Sequence, residues 1–260
     1  MTTPVVILCG GQGTRFREQT ERKPKPMIEI GGRPILWHIM SFYAGHGHKD
    51  FILCLGYLGD VIRRYFLDFA ALSSDFTVDL AEPGKITYHQ AATRDWRVTC
   101  VETGAEAMTG ARLARVGRYL GNADEFMLTY GDGVADVDVP SLLAFHRAHG
   151  KVATVTGVRP QSRFGELDVA GDAVTTFSEK PNVSQGFING GFFVFKREML
   201  EYVEDRDACT LEREPLEKVA RAGQLMVYKH DGYWQCMDTY RDLQRLEHDW
   251  AHGAPWRSWR

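Results

Sequence analysis

The sequence has no apolar run approaching the about 18 residues that a membrane-crossing helix needs. Its beginning lacks a basic segment leading into a long apolar stretch and a small-residue cleavage site. It therefore reads as neither exported nor membrane-spanning, and a cytoplasmic location is expected. Closely spaced cysteines are also missing. The five present, Cys9, Cys54, Cys100, Cys209 and Cys236, are an odd number with no pair at the spacing of zinc sites or thiol redox centres. Charge of one sign does not predominate either. A formal net charge of −3 gives no long-range field for nucleic acid or an anionic membrane, so any basic group that matters acts inside a pocket. The nine histidines form no H-E-x-x-H motif, there is no G-x-S-x-G elbow, and no glycine loop ends in Gly-Lys-Ser/Thr. These absences argue against imidazole-held metal, a covalent nucleophile and a P-loop. Linkers, low-complexity tracts and internal repeats are missing too, which favours one domain over residues 1–260, long enough to bury a core without disulfides.

What is present is an alternation. A short apolar run at 5–9 ends in a glycine cluster, as a buried strand does when it enters a ligand loop. Apolar residues at helical spacing follow from Pro34 to Tyr43, then a strand at 50–55 and an amphipathic helix ending near Phe69. Strands are predicted at 76–80, 86–89, 98–102 and 126–130, with helices at 112–119 and 139–149. This is the signature of an α/β fold with a mainly parallel, Rossmann-like sheet covered by helices on both faces. Beyond Gly150 the runs at 152–158, 166–169, 174–178 and 187–195 are broken by turns, so mixed pairing and a small β-rich lobe are expected there. Helices at 197–203 and 215–222, a strand at 225–229 and a helix at 240–250 complete the chain.

Six strings carry chemistry. Gly10-Gly11-Gln12-Gly13-Thr14-Arg15 directly follows the first strand. Its glycines let backbone amides approach phosphate oxygens, and Arg15 adds a planar guanidinium. A glycine cluster alone serves a tight turn equally well. In Lys23-Pro24-Lys25-Pro26-Met27 two prolines stiffen the chain, so Lys25 is a candidate phosphate clamp where a solvated basic loop is the plainer reading. Leu128-Thr129-Tyr130-Gly131-Asp132-Gly133 ends a strand in a carboxylate, where ligands gather in open α/β sheets. Asp132 could hold a divalent cation through oxygen, with Asp238 of Met237-Asp238-Thr239 as partner; the plainer readings are an Asp-Gly turn and an N-cap for the last helix. Glu179-Lys180-Pro181 and Ile188-Asn189-Gly190-Gly191 offer polar groups beside proline or glycine, and Arg112 stands two residues after Gly110, which would leave room for a ligand. Trp250, Trp256 and Trp259 read as packing or subunit-contact residues.

In this order the strings resemble the sugar-1-phosphate nucleotidyltransferase family over nearly the whole chain. Residues 23–32, 34–38, 130–136, 189–193 and 234–242 are most similar to members that transfer a cytidylyl group from CTP to glucose 1-phosphate. The resemblance implies release of pyrophosphate, Mg2+ as cofactor, CTP and glucose 1-phosphate as partners, and a homo-oligomer, trimer or hexamer. It puts Leu8, Gly10, Gly11, Gly13, Thr14, Arg15, Lys25, Gly110, Arg112, Gly131 and Asp132 around the nucleotide. Tyr130, Glu179, Lys180 and Asn189 go to the sugar phosphate, and Asp132 and Asp238 to the metal. Arg15, Lys25, Asp132, Lys180 and Asp238 would form the catalytic set. Residues 1–150 would mainly bind the nucleotide, and 151–260 the sugar phosphate. Another pyrimidine nucleotide or sugar 1-phosphate, or a silent sugar-nucleotide-binding subunit, is the alternative. A NAD-binding oxidoreductase fits poorly, because the glycine spacing is wrong.

Overall fold

In a computed structural model, residues 2–16, 20–82, 84–89, 94–159, 166–170, 173–178 and 186–259 are described. Seven strands form one sheet: β1 (Val5–Leu8), β2 (Asp50–Leu55), β3 (Arg97–Glu102), β4 (Glu125–Tyr130), β5 (Ala153–Val158), β6 (Ile188–Lys196) and β7 (Leu225–His230). Their order across the sheet is β7-β5-β6-β4-β1-β2-β3. All run parallel except β6, which pairs antiparallel with both β4 and β5. The mixed pairing expected past Gly150 is thus this one reversed strand, and the ribbon Glu166–Ala170 with Ala173–Ser178 stands apart as a two-stranded piece.

Side chains alternate across a strand, so β1 sends Val5 and Ile7 to one face and Val6 and Leu8 to the other. Each face has its own core. Val5 and Ile7 join Phe51, Leu53, Met127 and Phe192 beneath the helix α1 (Ile35–Gly45), which the spacing of Ile35, Leu36, Ile39, Met40 and Tyr43 creates. Val6 and Leu8 join Ile52, Phe126, Leu128 and Phe193 beneath α2 (Thr109–Val116), which contributes Ala111, Leu113 and Val116. A sheet buried on both faces needs near-continuous apolar strands, and that is why these segments read as runs.

The last helix, α3 (Tyr240–Ala251), starts with a capping box: Thr239 Oγ1 accepts from the Asp242 amide, and the Asp242 carboxylate accepts from the Thr239 amide. The N-cap is therefore Thr239, not Asp238 as the sequence suggested. The short hydroxyl fits that place, and the Asp238 side chain is directed elsewhere. After α3 the chain folds back so that Trp256, fully buried, lies against His38 of α1 together with Trp250 and Trp259. His38 Nε2 lies 2.8 Å from the Ile30 carbonyl and acts as donor there.

Burial lowers the His38 and His146 imidazoles from the ordinary 6.5 to about 4. Between those values the unfolded chain takes up protons that the folded chain refuses, so stability is complete above pH 6.5 and is lost as pH falls toward 4. The thermal unfolding midpoint, followed by circular dichroism, is expected to drop steadily across that window. A midpoint constant from pH 6.5 to 4.5 would contradict the burial of these neutral rings.

Candidate active site

At the carboxyl ends of β1 and β4 lies a cavity of about 340 Å³. Strand ends are where an open α/β sheet leaves space for ligands. The cavity gathers Leu8, Gly10, Gly11, Gly13, Thr14, Lys25, Arg112, Tyr130, Gly131, Asp132 and Asp238 from the sequence-predicted set. It also includes Ala107, Met108 and Thr109, which carry no motif and were not foreseen.

Lys25 sits in a single 3-10 turn, Lys25–Met27, preset by Pro24 and Pro26. Its Nζ is 2.6 Å from Asp132 Oδ2 and 2.6 Å from Asp238 Oδ1. The two aspartates meet because strand Gly133–Ala135 pairs antiparallel with Trp234–Cys236, placing Cys236 opposite Gly133, while the Met237 amide donates to the Asp132 carbonyl. Burial alone would lower the Lys25 pKa, but the two carboxylates outweigh it and hold the group above its ordinary value. Lys25 thus stays charged. Two carboxylate oxygens converging on one cation also provide a fitting donor set for a hard divalent ion, which takes one or two protein carboxylates and fills its shell with phosphate oxygens and water. Nearby, burial and the same aspartates push the Cys236 thiol up to about 12, so it remains protonated.

Arg112 does not face water: it is 3% exposed. Its Nη1 donates to the Leu55 carbonyl, Thr103 Oγ1 and the Gly104 carbonyl, and its Nη2 donates to the Gly10 carbonyl, all at 2.8–2.9 Å. One guanidinium therefore joins the loop after β1 to the ends of β2 and β3. No carboxylate among the described residues lies within ion-pair distance of it. A Cβ on Gly10 would fall 2.0 Å from Arg112 Nη1, so that glycine makes room for the arginine. Gly13, at φ +61°, takes a conformation that side chains resist.

On the other side of the cavity Tyr130 donates to Glu212 Oε1 at 2.5 Å and accepts from Asn189 Nδ2 at 3.1 Å. Burial and the neighbouring Glu212 carboxylate hold the phenol far above its usual range. Gly110 needs correction. Its amide donates to the Cys209 carbonyl, and a Cβ there would meet Cys209 Sγ at 2.6 Å, so the space it leaves is filled by protein rather than ligand. Glu179 and Lys180 lie outside the described residues. Arg15 belongs to the 3-10 turn Thr14–Phe16 that follows the glycine loop, and its side chain is likewise outside them.

A mainly parallel α/β sheet with a glycine loop, a lysine and two converging aspartates at its strand ends describes a class of enzymes that handle nucleoside phosphates. The family model for nucleotidyl transferases matches residues 4–251, and the chain belongs to that family. It is 50% identical over 255 residues to a glucose-1-phosphate cytidylyltransferase of Salmonella typhimurium, covering 98% of both chains. It is 42% identical to a probable glucose-1-phosphate cytidylyltransferase of Bacillus subtilis, covering 98% of this chain and 99% of the relative. Among solved structures, HddC from Yersinia pseudotuberculosis shares the fold with a TM-score of 0.70 at 22% identity, over 96% of this chain and all of the other.

Replacing Arg112 by lysine gives up the planar fork that reaches four oxygens, of which the Leu55 and Gly10 carbonyls keep backbone donors from Thr103 and Tyr57 while the Gly104 carbonyl and Thr103 Oγ1 depend on the arginine. About 3 kcal/mol of destabilisation follows from losses of this kind, or roughly 5–10 °C in unfolding midpoint for a chain of this size. Calorimetry is expected to show that drop together with weakened CTP binding. A variant with an unchanged midpoint would mean that the guanidinium does not hold the loops.

Proposed function

We propose that the chain transfers a cytidylyl group from CTP to α-D-glucose 1-phosphate, giving CDP-glucose and pyrophosphate. The observation that carries this reading is the meeting of Lys25, Asp132 and Asp238 beside the glycine loop, in a chain half identical to a glucose-1-phosphate cytidylyltransferase. A phosphate oxygen of the sugar 1-phosphate attacks the α-phosphorus in line, and pyrophosphate departs from the opposite side. The phosphomonoester is already largely ionised near neutral pH, so no base has to remove a proton.

The barrier lies in bringing two anions together and in the charge left on pyrophosphate. The chain answers with fixed cations and fixed geometry. Gly10, Gly11, Gly13 and Thr14 present the loop that aligns the triphosphate, held from behind by Arg112. Lys25, kept charged by its two aspartates, is assigned to the phosphates, and Arg15 and Lys180 share that task by family likeness. Tyr130 and Asn189, with Glu179, bind the sugar phosphate. Mg2+, held by Asp132 and Asp238, would supply further positive charge against the phosphate oxygens when bound.

The reading includes a homo-oligomer. It is supported by the ribbon Asp75–Val78 with Ile86–His89, which leaves Phe76, Val78, Ile86 and Tyr88 exposed. Among the described residues no helix is long and apolar enough to cross a membrane. A cytoplasmic location is proposed, in accord with five free cysteines.

The test is pyrophosphate release with glucose 1-phosphate and divalent metal, comparing CTP, UTP, dTTP, ATP and GTP and identifying products by mass. CTP is expected to be strongly preferred, and Asp132→Asn to lower turnover by orders of magnitude with an unchanged unfolding midpoint. Preference for another nucleotide would overturn the base assignment, and near-normal turnover in Asp132→Asn would overturn the role given to the carboxylates.

A further inference from the structure

Glu212 stands behind the cavity wall, in no motif, yet its carboxylate is the meeting point of the two halves of the site. Oε1 accepts from the Tyr130 hydroxyl at 2.5 Å, on the side assigned to the sugar phosphate. Oε2 accepts from Thr109 Oγ1 at 2.6 Å, in the wall lined by Arg112 and the glycine loop. The Thr109 hydroxyl in turn accepts from the Leu211 amide at 2.9 Å, so the Glu212 carboxylate and the amide of the preceding residue grip the first turn of α2 together. That turn is further tied to the same segment, because the Met108 amide donates to Asp207 and the Gly110 and Ala111 amides to Cys209.

A hydroxyl has one proton to give, and a carboxylate is a stronger acceptor than a sugar hydroxyl or water. With its proton committed to Glu212, the Tyr130 oxygen can only accept. One such bond comes from Asn189 Nδ2 at 3.1 Å, and Asn189 is itself fixed by the Gly191 amide, which donates to its Oδ1 at 2.9 Å. What remains for a ligand is a lone pair. A sugar hydroxyl can donate to it, whereas a phosphate oxygen, an acceptor, is turned away. The phenol keeps its proton at any working pH, since burial and Glu212 both raise its pKa.

We infer that Glu212 is a positioning residue that fixes the Tyr130 hydroxyl as an acceptor for a hydroxyl of the sugar phosphate and, through Thr109, locks the nucleotide wall to the sugar wall. This rests on the proposed assignment of Tyr130 to the sugar side. A side chain acting only through Tyr130 on sugar binding leaves a non-additive signature.

The experiment is a double-mutant cycle of E212Q and Y130F, read as the KM for glucose 1-phosphate at saturating CTP, with kcat and the KM for CTP measured alongside. The glutamine is close in shape but has a single acceptor oxygen for two hydroxyls. Each single variant is expected to raise the KM for the sugar phosphate about tenfold, the upper end for loss of one hydrogen bond between neutral groups. The double variant is expected to stay within about twofold of the worse single one. Only E212Q is expected to raise the KM for CTP as well, through Thr109. Effects that multiply toward about a hundredfold would overturn the proposal alone. A silent Y130F would overturn the assignment of Tyr130 to the sugar, and the proposal with it. Should E212Q be recovered unfolded, E212D, too short to reach both hydroxyls, enters the same cycle and is judged by the same rule.

Discussion

The ammonium group of Lys25, 2.6 Å from each of two carboxylates, is the point on which the site closes. The three residues lie 107 and 213 positions apart in the chain, so their meeting requires the glycine-loop segment, the end of β4 and the approach to α3 all to be in register. Among the described residues the ammonium stands between two half-buried carboxylates, and such a group persists only where each charge meets a partner at close range. The geometry thus joins folding to binding: the pairing of Gly133–Ala135 with Trp234–Cys236 exists in the fold to bring the second carboxylate home.

Arg112 is the counterpart on the nucleotide side. It is a buried cation solvated by neutral oxygens rather than by a carboxylate, and burial lowers its pKa. Its hydrogen bonds go to neutral oxygens, and they fix the loop whose amides face the cavity. Glu212 completes the arrangement by linking the helix that carries Arg112 to the strand end that carries Tyr130. Three charged side chains, each from a different part of the chain, therefore set the distances across one cavity.

Much of this fold was legible because the central strands are buried on both faces and show as apolar runs, and because the helices show helical spacing; Ile86–His89, exposed along its length, stands outside that rule. The strands at Asp50–Leu55 and Ile86–His89 and the helix at Val139–His149 lie where the sequence puts them. The glycine loop, Lys25 and Asp132 each had a plainer reading alone, and became legible through their order in the chain and their place at the strand ends. What was hidden depends on contacts remote in sequence. A three-residue strand such as Trp234–Cys236 is too short to show a period, so the pairing that carries Asp238 to Asp132 had no local mark, although the two were named as partners from their residue types. Gly110 looked like space for a ligand because the sequence does not reveal that Cys209 fills it. Glu212 sits in a polar stretch, Thr210 to Glu214, whose composition resembles any solvated loop.

The account turns on Lys25 occupying the cation position between Asp132 and Asp238 until ligands arrive. Binding of Mn2+ to nucleotide-free protein, followed by electron paramagnetic resonance for wild type and Lys25→Met, tests this most directly. Removing the ammonium takes away the unit charge that competes with the ion for both carboxylates, so the variant is expected to bind the ion at least about tenfold more tightly. Equal or weaker binding by Lys25→Met would contradict the claim that lysine and metal answer to the same pair of aspartates.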